Sequence, residues 1–228
     1  MIIYQPRYPV SKGVHEFPFL SPEQCEHFAG QVMEAQAGWV DRGFFNTLGA
    51  TTYQDDIADY PDIADAINPL MWEQFAPLYL DLYKFFSELM ERKVCPHPMG
   101  VGYMGFHIFD ARAGDNCGHP HVDEPFDRID WPFEYAHPFT FTLPLELPAG
   151  GGGLDLWPDV TDKQMDSYVA GGALPEHQHL PYGVGKLYLH DGLTPHRIAN
   201  PCAIEDGEFR ITLQGHGVVT AEGLVLYF

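Results

Sequence analysis

Basic residues are scarce in this chain. Twelve Lys and Arg stand against 32 Asp and Glu, a formal charge of −20 over 228 residues. A field of that sign argues against phosphate backbones and anionic membrane surfaces as partners. Long apolar runs are missing too. None approaches the ~18 residues of a membrane span, and the opening Met-Ile-Ile-Tyr-Gln-Pro-Arg lacks the layout of a secretory signal. Four cysteines (Cys25, Cys95, Cys117, Cys202) at irregular spacing, with no Cys-x-x-Cys, form no disulfide framework in a chain of this length. The expectation is a reduced, cytoplasmic protein. Gly-x-Ser-x-Gly, a Cys-His pairing pattern and a dinucleotide glycine fingerprint leading into a helix are absent as well. Hydrolase and nicotinamide chemistries therefore have no support.

What is present is enough to build a core. Hydrophobic residues make up 45% of the chain and aromatics 14%, which excludes disorder, and the length suits one domain, 1–228. Ser21-Pro22-Glu23-Gln24 reads as a helix start, with Ser at the N-cap, Pro at N1 and Gln at N3. That helix should run to about Ala37. From Asp62 to Arg92 apolar residues recur at helical spacing, but Pro69 and Pro77 predict two or three helical pieces rather than one rod.

Beyond Cys95-Pro96-His97-Pro98 the texture changes to short apolar runs separated by turns. Candidate strands are Val101–Asp110, Phe139–Glu146, Leu154–Trp157, Lys186–His190, Arg210–Val219 and Leu224–Phe228. The chain thus reads as mainly β with N-terminal helices. A largely helical part, 1–95, buttresses a sandwich or barrel core, 96–228.

The chemistry lies in that second part. Gly-His-Pro-His-Val-Asp spans 118–123, His196 follows in Thr-Pro-His-Arg-Ile, and Arg210 comes fourteen residues later in a strand-like run. Two imidazoles and a carboxylate (His121, Asp123 and His196) are the ligand set of a non-haem iron(II) site with open positions. Residues i and i+2 of a strand share a face, so His121 and Asp123 can serve one metal from one strand end. The third ligand then comes from a neighbouring strand. Arg210 adds a bidentate cation for a carboxylate beside the metal.

From about Tyr103 to Leu213 the chain resembles the iron(II)/2-oxoglutarate-dependent dioxygenases at superfamily level. The residues that carry the resemblance are His121-Val-Asp123, the glycine turn Gly150–Gly153 running into Leu154-Asp155-Leu156, the distal His196, and Arg210-Ile-Thr212. The resemblance implies a double-stranded β-helix (jelly-roll) core carrying Fe(II), with 2-oxoglutarate and O2 as cosubstrates. Arg210 and Thr212 would hold the far carboxylate of 2-oxoglutarate, and no catalytic group is expected beyond the metal ligands. With a carboxylate at Asp123 rather than the small residue of related halogenases, it also favours hydroxylation over chlorination, with desaturation or ring formation open from the same C–H abstraction. The substrate would be a small molecule, an amino acid or a biosynthetic intermediate, with succinate and CO2 as by-products.

Some features admit two readings. His119-Pro-His121 is itself a His-x-His pair, so a cupin-type metalloenzyme using His119, His121 and His196 without 2-oxoglutarate is the alternative. His190 reads as a structural imidazole, and the glycines of 150–153 as a tight turn, since no helix or Lys follows to cradle a phosphate. Residues 124–137, which follow the ligand pair directly, form either a lid over the metal or a plain surface excursion.

Overall fold

The computed structural model describes residues 13–95, 98–114, 118–199 and 204–228. Cys117, Cys202, His97 and the opening heptapeptide lie outside them. The described chain runs β1 (His15–Pro18), α1 (Pro22–Glu34), β2 (Val40–Asp41), β3 (Asn46–Leu48), α2 (Tyr60–Met90) and β4 (Gly105–Phe109). It continues with β5 (Tyr135–Glu146), β6 (Gly153–Leu156), α3 (Asp162–Val169), β7 (Gln178–Pro181), β8 (Lys186–His190), β9 (His196–Ile198), β10 (Arg210–Thr220) and β11 (Leu224–Tyr227). Two antiparallel sheets result. The larger has the order β1-β8-β5-β10-β4-β3-β2 with β11 paired to β10, and the smaller is β7-β6-β9. Residues of both line one cavity between them. This is a jelly roll with α1 and α2 packed on the outside of its larger sheet.

The first helix begins as its sequence dictates. Gln24 N–H donates to Ser21 Oγ (3.3 Å) and Ser21 N–H donates to Gln24 Oε1 (2.9 Å), a reciprocal capping box. Cys25, Phe28, Ala29 and Val32 form its buried stripe. The α-helix stops at Glu34, and the expected last turn tightens into a 3-10 turn over Gln36–Gly38.

The second helix departs from expectation, because Tyr60–Met90 is one continuous 31-residue helix with Pro69 and Pro77 inside it. Both prolines are on the exposed side, as are Asp65 and Glu73, whose carbonyls lose their partners. Water can satisfy those carbonyls, so the penalty of about 3 kcal/mol per proline is reduced. Opposing it, Met71, Phe75, Leu78, Leu82, Phe86 and Met90 are buried on the other face, at roughly 1.5–3 kcal/mol each. Packing overrides the local breakers.

That stripe meets the large sheet. Phe75 packs on Phe106 with ring centres 4.6 Å apart, and Phe86 on Phe141 at 4.7 Å. Ile211 and Leu213 of β10 belong to the same core, while Arg210, Gln214 and His216, on the alternate positions, line the cavity. No described helix is long and apolar enough to cross a membrane.

Every strand expected from sequence is present with ends shifted by at most a few residues, and β9 is the neighbouring strand expected to carry His196, but β1, β2, β3 and β7, and the helix α3, were not anticipated. These pieces are only two to four residues long apart from α3, at eight, too short for a period to show. Three of the strands lie before residue 95 and join the large sheet.

The 124–137 segment does not cover the cavity. Phe126, Ile129, Trp131 and Phe133 pack with Val101, Val218, Val225 and Tyr227, closing the β10–β11 end of the barrel. No residue of that segment lines the cavity.

The docking of α2 sets a measurable expectation. Phe86→Ala removes a fully buried ring and should cost about 3–5 kcal/mol in urea unfolding. Leu80→Ala, at a position 55% exposed on the same helix, should stay within about 0.5 kcal/mol.

Candidate metal centre

The site is built first by backbone. His121 and His196 stand directly opposite one another, each N–H donating to the other's carbonyl at 2.9 Å. Asp123 N–H donates to Gly192 O at 2.8 Å. His121 is therefore held by one isolated bridge rather than by a strand, but the extended course through Asp123 still sends both side chains the same way. His196 opens β9, so the third group does come from a neighbouring strand. Gly192 has φ +74°, and a Cβ there would meet Asp123 Cβ at 3.0 Å. Only glycine combines that conformation with that closeness.

The side chains converge. One donor atom from each of His121, Asp123 and His196 lies within 4.8 Å of the others. His196 Nε2 is 3.3 Å from Asp123 Oδ2, and His121 Nε2 is 3.7 Å from Oδ1. The other nitrogen of each imidazole is occupied: His121 Nδ1 donates to His119 O and His196 Nδ1 to Thr194 O, both at 2.8 Å. Those bonds fix the tautomer that leaves Nε2 as a lone-pair donor, the arrangement a metal-binding histidine needs. Tyr53 Oη donates to Asp123 Oδ1 at 3.0 Å, which fixes the orientation of the carboxylate. Asp123 and His196 are buried, while His121 stands half-exposed at the rim.

Electrostatics support charge in this spot. Burial pushes the Asp123 carboxyl up, but His196, by charge and hydrogen bond, and then His216 and His121 hold it well below the usual carboxylate range. Burial acts on His196 to lower it, and the Asp123 charge reverses that, so its imidazole is raised. The carboxylate is thus kept ionised, as a hard ligand must be.

A cavity of about 400 Å³ opens beside this group. Arg210 lines it and is 1% exposed. Its guanidinium carbon lies 5.1 Å from the centre of the Phe109 ring and 5.8 Å from that of Tyr182. Arg210 Nε and Nη1 are buried with no hydrogen-bond partner among the described residues. Burial lowers its pKa to about 10, so it remains a cation. The glycine turn explains how the chain passes it, since a Cβ on Gly152 would lie 3.4 Å from Arg210 Nε and 3.1 Å from Leu147.

Thr212 is fully buried, accepts from Gln214 Nε2 at 3.5 Å, and is not among the cavity-lining residues. The structure thus brings together His121, Asp123, His196 and Arg210 around one cavity and leaves Thr212 behind it. His119 lines the mouth but is exposed and outside the three-residue group. Its carbonyl, not its ring, serves the site. His190 packs its ring on His196 (4.9 Å) and accepts from Gly192 N–H at its Nδ1 (3.1 Å), the structural role expected for it.

Sequence reasoning missed Tyr53, His107, Thr140, Thr142, Tyr182, Gln214 and His216, all of which line the cavity. Gln214 and His216 were detectable, because they continue the i+2 series from Arg210. Tyr53 and Tyr182 come from loop and strand-end positions that carry no such signal.

No protein-family model matches the sequence, and a comparison with curated proteins found no match. Solved structures are similar in fold. An N-substituted L-amino acid dioxygenase from Burkholderia ambifaria superposes with a TM-score of 0.62 at 15% identity, over 94% of this chain and 86% of the other. The non-heme alpha-ketoglutarate-dependent epimerase SnoN of nogalamycin biosynthesis gives 0.56 at 14% identity, over 92% and 78%. HygX from Streptomyces hygroscopicus, solved with nickel and 2-oxoglutarate bound, gives 0.52 at 11% identity, over 90% and 82%. At these identities the likeness establishes the jelly-roll fold.

The geometry sets an expected outcome for anaerobic calorimetry with Fe(II). Wild-type protein should bind one equivalent, and His121→Ala, Asp123→Ala and His196→Ala should each lose it while remaining folded by circular dichroism. His119→Ala should keep it; loss equal to that of His121→Ala would place His119 among the ligands.

Proposed function

We propose that this protein is an Fe(II)- and 2-oxoglutarate-dependent oxygenase that hydroxylates a C–H bond of a small molecule. The observation that carries the proposal is Arg210. An unpaired buried guanidinium is costly, since each buried N–H without a partner forfeits its hydration. Arg210 keeps two such groups beside the His121–Asp123–His196 set. A ligand that brings a carboxylate to Arg210 and a second oxygen donor to the metal resolves both needs, and 2-oxoglutarate is such a molecule. The residues fit the groups they are asked to hold. Two lone-pair nitrogens and one ionised carboxylate suit iron(II) with open positions, and a planar fork suits a carboxylate.

The chain's own residues prepare the reaction. His119 O and Thr194 O orient the two imidazoles. Tyr53 holds Asp123 through Oδ1. Phe109 and Tyr182 flank the guanidinium, excluding water that would otherwise compete for its donors. Iron with 2-oxoglutarate and O2, when bound, supplies an oxidation in which one oxygen atom enters the substrate C–H bond and the other enters succinate as CO2 leaves.

Similar solved structures that carry alpha-ketoglutarate or 2-oxoglutarate support the same use of this fold. The cupin alternative lacks comparable support, because it leaves Arg210 without a task and needs His119 where the ring is exposed.

The test is titration of anaerobic Fe(II) protein with 2-oxoglutarate, following the metal-to-ligand charge-transfer absorption. Charge-assisted hydrogen bonds contribute roughly 1.5–3 kcal/mol. Arg210→Met should therefore weaken 2-oxoglutarate about ten- to a hundredfold with Fe(II) binding unchanged. Equal affinity in both proteins would remove the anchor role. Thr212→Val should change the affinity less than threefold or so, because the Thr212 hydroxyl is turned to Gln214.

A further inference from the structure

The cavity has two flanks, and the oxygenase reading leaves part of its lining without a task. Strand β10 runs along its floor. On the β5–β8 flank lie Thr140, Thr142 and His190; on the β4–β3 flank lie Phe45, His107 and Phe109, with Phe228 beside His107 and Tyr53 reaching across to Asp123. A molecule joining Arg210 to the metal group leaves the wall of Phe45, His107 and Phe228 for substrate.

We infer that the substrate inserts an uncharged, planar group, an aromatic or similarly flat ring bearing a polar N–H, O–H or C=O, into the β4–β3 flank, where His107 reads it. The inference rests on the oxygenase reading for the place of the cosubstrate, and on three observations for the rest.

The first is that this flank has aromatic walls. The His107 ring centre is 5.2 Å from that of Phe45 and 5.4 Å from that of Phe228. Flat groups pack on such rings edge-on or offset.

The second is charge. Arg210 is the one Lys or Arg among the described residues that line the cavity, and Asp123 the one acid. Neighbouring arginines are committed elsewhere: Arg42 to Asp55 at 2.6 Å, Arg112 to Asp110 at 3.0 Å and Arg197 to Asp155 at 3.1 Å. Arg128, exposed on the 124–137 segment, does not line the cavity. Once 2-oxoglutarate holds Arg210, a substrate carboxylate or ammonium in this flank would be buried unpaired.

The third is His107 itself. Its Nδ1 is buried without a hydrogen-bond partner among the described residues, and its ring is neutral, because burial and the Arg210 and His216 charges lower its pKa to about 3. A neutral imidazole offers one donor and one acceptor. An amino-acid head group is therefore a poor fit here, and a neutral heteroaromatic or phenolic ring a good one.

The probes are indole, indene and indole-3-acetate, which share a bicyclic ring and differ in the N–H and in charge. Dissociation constants are measured by ligand-observed NMR on protein loaded with Zn(II) and saturated with 2-oxoglutarate. Indole should bind; indene should be about three- to tenfold weaker, the value of one neutral hydrogen bond; and indole-3-acetate roughly tenfold or more weaker than indole. In His107→Phe, which keeps the wall aromatic, indole and indene should bind equally. Indole-3-acetate binding as well as indole, no binding of indole, or an unchanged indole-to-indene ratio in His107→Phe would each overturn the inference. The wild-type comparison decides even if the variant does not fold. Failure of the oxygenase reading is separate: it would show as no charge-transfer band with Fe(II) and 2-oxoglutarate, whatever the aromatic probes do.

Discussion

The alternation of strand β10 is the constraint on which the rest of the molecule depends. Its odd-numbered residues, Ile211 and Leu213, enter the core beneath α2, while Arg210, Gln214 and His216 face the cavity. Paired on both sides, to β5 and β4, the strand cannot slip by one residue without turning the guanidinium into the aliphatic core and the leucine into the site. The burial that stabilises the fold is thus the same restraint that aims Arg210. A cation 1% exposed is tolerated because the strand carrying it is fixed by everything on its other face.

The metal group follows the same logic at smaller scale. His121 and His196 are joined by a reciprocal backbone pair, so the spacing of their rings is a property of the main chain and not of a flexible loop. Their Nδ1 atoms bond to carbonyls two residues earlier, His119 O and Thr194 O. Each imidazole is therefore oriented by its own local chain. Such self-contained orientation gives preorganised donors without long-range packing.

The same distinction explains what sequence could and could not show. His121, Asp123, His196 and Arg210 were legible because their geometry follows from short-range rules: an i+2 spacing, a distal partner, an alternating strand. Thr212 obeyed the same alternation yet turned out to face Gln214, because alternation gives the side of the strand and not the reach of the side chain. The long α2 was misjudged at Pro69 and Pro77, where the breaking tendency is local and the stabilising contacts with Phe106 and Phe141 come from distant segments. Tyr53 and Tyr182 were invisible for a similar reason. Each reaches the cavity from an element whose position is set by tertiary packing alone.

Net charge completes the argument. The surface of this chain is strongly acidic, yet the proposed cosubstrate is a dianion, so its recognition has to be local. It falls to Arg210 and a metal, with burial strengthening both by removing water. The histidines around them do not dilute that signal: His107, His190 and His216 are held neutral chiefly by burial, with pKa values of about 3, 3 and 4. A cavity with one protein cation and one metal-binding group offers a dicarboxylate a single orientation. It also leaves Phe45, His107 and Phe228 as a wall with no charged side chain of its own, so an uncharged ring packs there without forfeiting an ion's hydration.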